Sequence, residues 1–116
     1  MNSAIANKIV TEVTEEIYTE YPELLQKFGE AGKQKCQEDN EHHLNQLRAA
    51  VHHDNVKMFI DYAEWLNGIL TSRGMKTAHL IDNFERLIKQ FKKQKNEGLQ
   101  KHIAFLQKAI ERLENK

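Results

Sequence analysis

Between Asn55 and Met75 the chain reads NVKMFIDYAEWLNGILTSRGM, and its apolar residues spread too far round a helix for that helix to stand alone. At about 100° per residue, Val56, Phe59, Ile60, Ala63, Leu66 and Leu70 cover one side, while Met58, Tyr62, Trp65 and Ile69 carry the apolar surface past half the circumference. Only Lys57, Asp61, Glu64 and Gly68 form a wettable strip. The pattern predicts a central helix with several others packed round it.

The flanking segments supply those partners. Ile5, Ile9, Val13 and Ile17 recur at every fourth position, which predicts a first helix from an N-cap at Ser3 to about Tyr18. Pro22 restricts Tyr21 and suits a first helical position, so residues 19–22 read as a turn. The second helix then runs from Pro22 to about His53. Gly29 and Gly32 mark a kink in it, since each costs about 1 kcal/mol against alanine unless the chain breaks there or a backbone or ligand comes close. Asp54 or Asn55 caps the third helix and Arg73-Gly74 ends it. Thr77 caps a fourth, whose Leu80, Ile81, Phe84, Leu87, Ile88 and Phe91 lie on one narrow arc.

Asn96 reads as the cap of a fifth helix over about residues 97–115. Its Leu99, Ile103, Leu106, Ile110 and Leu113 follow the 4,3,4,3 spacing of a coiled-coil seam. That seam either closes the bundle within its own chain or forms a dimer interface with a second copy. No alternating stretch with turn signals predicts a strand. The expected fold class is all-α: a single-domain antiparallel bundle of four to five helices over residues 1–116, with the third helix central.

Composition narrows the function classes. Hydrophobic residues make up 40% of the 116 and charged residues 29%, and no apolar run approaches the ~18 residues of a membrane span. The first sixteen residues carry acids within their apolar pattern and no basic leader, so a cytoplasmic location is expected. The single cysteine, Cys36, excludes an internal disulfide and agrees with a reducing compartment. Net charge is zero, yet residues 1–41 hold nine acids against four lysines, −5, leaving +5 in the remainder. The acidic N-terminal part is therefore expected to lie against the basic C-terminal part, within one chain or across a dimer, and the balanced total argues against nucleic acid as partner.

One constellation could carry chemistry. Cys36, Asn40 and His43 share a face of the second helix with Leu47 and Val51, so a thiol, an amide and an imidazole interrupt an apolar stripe. Each needs a buried partner, from Tyr62 or Trp65 of the third helix or from His102. The row is either a structural polar network that fixes helix register or a small pocket for a ligand. Metal ligation is not expected, because no Glu-x-x-His or His-x-x-x-His element is present, and neither is a cofactor. Enzyme templates also fail: Gly29 and Gly32 lack the surroundings of a phosphate loop, and Cys36 and His43 lie nearly two turns apart on one helix.

The segments CQEDNEHHLNQLRAAV and MFIDYAEWLNGILTSRGM, with HL-x-x-L-x-x-A followed by F-x-x-Y-x-x-W-L and a closing R-G, resemble an all-helical module of bacterial sensor and regulatory proteins that sometimes adjoins a corrinoid-binding domain. The resemblance spans about Leu24 to Phe91. It implies a signalling or ligand-sensing bundle in which His43, Tyr62, Trp65 and Arg73 match the polar and aromatic positions. No α/β domain follows here, so a corrinoid would lack its lower-face ligand and its nucleotide-tail pocket. The leading expectation is a non-enzymatic interaction module, homodimeric or bound to another protein. Its alternative is a small-molecule, corrinoid-like or metal sensor built on Cys36, Asn40, His43, Tyr62, Trp65 and Arg73.

Overall fold

Each helix begins or ends where the sequence supplies a cap or a breaker. In the computed structural model, which describes residues 1–94 and 98–115, five helices follow in order: α1 (Ser3–Glu20), α2 (Glu23–His52), α3 (Val56–Ser72), α4 (Thr77–Lys92) and α5 (Gln100–Glu114). The Asn2 side chain accepts the Ile5 N–H at 2.9 Å, which places the first cap one residue before the expected Ser3. Asn55 caps α3 in the same way through Met58 N–H, as expected. Gly74, at φ 89°, turns the chain out of α3 while the Met75 N–H returns to the Leu70 carbonyl at 3.0 Å. At α4 the cap is Lys76 rather than Thr77, and its N–H donates to His79 Nδ1 at 3.1 Å. The expected cap of α5, Asn96, lies outside the described residues.

The kink in α2 is real and sits at Gly29, whose φ of 68° is a conformation that side-chain-bearing residues rarely adopt. At Gly32 the close approach is local. A Cβ there would lie 2.4 Å from the Cβ of Phe28, so the chain's own phenylalanine takes up the space that the sequence left open to a ligand or a second backbone.

The Cα atoms fill 39 × 32 × 17 Å, a slab about two helix layers thick. Its core joins Ile9 and Val13 of α1, Leu44 and Leu47 of α2, Phe59 and Ala63 of α3, Phe84, Leu87 and Phe91 of α4, and Leu106 and Ala109 of α5. The all-α bundle is as the periodicity predicts, but the enclosure of the third helix is not. Although α3 packs against α2, α4 and α5, only Phe59, Ala63 and Asn67 are buried on it, and Trp65 is 63% exposed. A slab of two layers leaves every helix a side in water, and α3 turns Trp65 outward. Apolar count alone overstated its burial.

The seam of α5 is spent inside the chain. Leu99, Leu106, Ile110 and Leu113 are buried and Ile103 is half-buried, all packed into the common core, so these five residues form no free dimer face. The charge asymmetry is also resolved internally. Arg86 of α4 pairs with Glu16 and Glu20 of α1 and with Asp82, and Lys89 reaches Glu16 at 2.9 Å. Burial alone would raise the Glu16 carboxyl pKa, but hydrogen bonds from Lys89 and Gln90 and the charge of Arg86 hold it below the usual range.

Candidate functional site

The polar row of α2 faces inward, as the helical wheel requires. Asn40 is fully buried and His43 is 3% exposed, while Cys36, half-buried, lies at the outer end. Their partners come from two other helices. The hydroxyl of Tyr62 on α3 shares a 2.8 Å hydrogen bond with His43 Nδ1. Asn83 of α4 donates to Asn40 Oδ1 at 2.7 Å, and Asn40 donates back to Asn83 Oδ1 at 3.3 Å and to the Cys36 carbonyl at 3.1 Å. An amide pair therefore joins α2 to α4, and an imidazole–phenol pair joins α2 to α3.

Aromatic rings close round the histidine. Phe84 meets the His43 ring edge-on at 5.3 Å between centroids, and Phe59 packs 5.4 Å from Phe84 and 5.8 Å from Tyr62. In this apolar cage burial, with a smaller contribution from the charge of His42, pushes the His43 pKa down to about 3, so the ring is neutral at physiological pH. Burial, helped by the charge of Asp39, raises the Tyr62 phenol and keeps it protonated. The Cys36 thiol is raised for the same two reasons, which makes it a poor nucleophile. This set of groups neither exchanges protons near neutrality nor presents a thiolate.

Of the six residues proposed for a ligand site, the structure brings four together: Cys36, Asn40, His43 and Tyr62. The other two stand apart from the row's hydrogen bonds. Trp65 stacks obliquely beside Tyr62 at 6.2 Å but faces solvent, and Arg73 is exposed at the C-cap of α3. His102, considered as a partner, packs against Phe91 instead. Sequence reasoning missed Asn83. The signal was a polar residue three after Leu80 and four before Leu87, inside the apolar arc of α4.

Among the described residues no group of three or more histidine, cysteine or carboxylate side chains is placed to hold a metal ion, and no helix is long and apolar enough to cross a membrane. An open cleft of about 480 Å³ lies where the end of α2 meets α5, lined by Met1, Arg48, Ala49, Val51, His52, His53 and His102, and a larger groove of about 700 Å³ runs between α4 and α5. Neither includes the polar row. No protein-family model, no curated protein and no solved structure matches this chain.

Proposed function

We propose that the chain is a non-enzymatic regulatory module that works by protein contact, with the outward face of α3 as its contact surface and a second copy of the chain as its occupant. The observation that carries this reading is Trp65, the one tryptophan of the sequence, 63% exposed on a helix whose other large aromatics are engaged. Met58, Tyr62 and Ile69, each half-buried, continue the strip at helical spacing. Tryptophan is enriched among the residues that dominate binding at protein interfaces, because it combines a large apolar area with few rotatable bonds. Zero net charge keeps two copies from repelling each other, and the pairing of Glu16, Glu20 and Arg86 within one chain leaves those charges with no call on a partner.

The polar row supports the same reading from the other side. Its amide, imidazole and phenol groups satisfy one another, as a register-fixing network does, and a chain with that network has its remaining specificity on the surface. The resemblance to helical modules of bacterial regulatory proteins fits as well: of the F-x-x-Y-x-x-W-L residues, Phe59 serves the core, Tyr62 holds His43, and Trp65 is left outward. Sedimentation velocity of the wild type and of Trp65→Ser tests the proposal. The expected result is a concentration-dependent dimer that the variant loses while keeping its helical circular dichroism. A wild type that sediments as a monomer throughout would contradict it.

A further inference from the structure

Gly68 sits in the interior of α3, exposed and with ordinary helical backbone angles. A glycine in such a place weakens the helix against alanine, and nothing among the described residues requires it: a Cβ built there would meet no atom within 4 Å beyond its own turn of helix. A bare, open stretch of helix is one that a partner can approach closely. One turn back stands the exposed Trp65.

These two residues belong to a regular series. Met58, Asp61, Trp65, Gly68 and Ser72, with Met75 just past the helix end, are spaced 3,4,3,4,3, the rhythm of a helix-pairing seam. Met58 is half-buried and the other five are exposed. If the seam meets a second copy running the opposite way, with a two-fold axis between positions 65 and 68, residues equally far from the axis face each other. Trp65 then faces Gly68 twice, Asp61 faces the hydroxyl of Ser72, and Met58 faces Met75. A large ring meets a position with no side chain. A parallel pair would instead set indole against indole and leave a gap at the glycines.

Charge favours the same direction. The acids of this side, Asp61 and Glu64, lie in the first half of α3, whereas Arg73 and Lys76 follow its second half with no acid among them. Opposed copies bring unlike halves together, and parallel copies would stack four cations. Asp61 and Glu64 already hold Lys57 and Arg112 of their own chain at 2.8 and 3.2 Å, so charge sets direction here more than strength.

We propose that two copies pair α3 against α3 in antiparallel fashion with each Trp65 indole seated on Gly68 of the other copy, which rests on the α3 face being the contact surface and makes Gly68 the residue that selects the partner.

Complementary variants of the full chain test the seat by sedimentation velocity. Trp65→Ala empties it and Gly68→Leu fills it, so each alone is expected to weaken association about tenfold or more. Mixed in equal amounts, with one variant carrying a fluorescent label at its N-terminus, the two are expected to associate more tightly than either does alone. The mixed pair keeps one native contact and has one in which the added leucine takes the space the indole left. Gly68→Ala is the second variant. It is expected to raise the melting temperature in dilute solution and yet weaken association, opposite signs that a glycine with no partner would not give. A wild type that associates while both Gly68 variants associate as tightly would overturn the seat and leave the α3 contact surface standing. A mixture no tighter than its components would overturn the antiparallel pairing. A wild type that stays monomeric would overturn the seat and the contact surface together.

Discussion

Asn40 and Asn83 face each other across the α2–α4 interface with their amides exchanging two hydrogen bonds, 2.7 Å in one direction and 3.3 Å in the other. Asn40→Leu therefore keeps the volume of the side chain but not the partner of Asn83. Leucine at 40 strands the amide of Asn83 and removes the side-chain donor to the Cys36 carbonyl, so the expected change is a loss of about 1–3 kcal/mol. Urea unfolding of Asn40→Leu, Asn83→Leu and the double variant checks it. The double variant is expected to cost less than the sum of the singles, because neither amide is then left unpaired.

How far the sequence carried follows from what periodicity encodes. It places a polar residue on a face, so the inward turn of Cys36, Asn40 and His43 was legible from spacing alone, while Tyr62 was one of three partners it allowed, beside Trp65 and His102. It does not say which third helix comes opposite. Asn83 therefore went unnoticed, and the α5 seam stayed open between an internal and an external partner. The outward turn of Trp65 was hidden for a different reason. A wide apolar arc reads the same whether the flanking helices cover all of it or only part, and the two-layer slab covers part.

Acid sensitivity follows from His43. Its pKa falls from the ordinary 6.5 to about 3 on folding, so between those values the unfolded chain binds a proton that the folded chain does not. Stability from this group is complete above the unfolded value and is lost as pH falls from 6.5 towards 3, at about 1.4 kcal/mol per pH unit. His102, lowered to about 4, adds a second proton over a narrower window. Thermal melts from pH 7.5 to pH 4, with His43→Gln beside the wild type, are expected to show a shallower acid slope in the variant about its own neutral-pH stability.

Leu106 separates an internal seam from an external one. It is fully buried within the chain, so Leu106→Ala is expected to cost about 2–5 kcal/mol, the range for deleting a core leucine side chain. Leu106→Glu is expected to abolish the cooperative fold rather than convert a dimer into a folded monomer. Circular dichroism melts combined with size-exclusion chromatography distinguish the outcomes.

Trp65 is expected to behave oppositely. Mostly exposed, it contributes little to the core, and Trp65→Ser is expected to change unfolding free energy by no more than about 0.5 kcal/mol under dilute conditions. Chemical denaturation at low micromolar concentration checks that figure.

The same residue offers the most direct measurement, because it is the sole tryptophan and reports its own surroundings. Emission of the wild type is followed across a wide range of protein concentration, beside Ile69→Glu, which places a charge on the same face. The account predicts a solvent-exposed spectrum on dilution, a shift to shorter wavelength as copies associate, and no shift in Ile69→Glu. An exposed spectrum that stays the same at every concentration would contradict it.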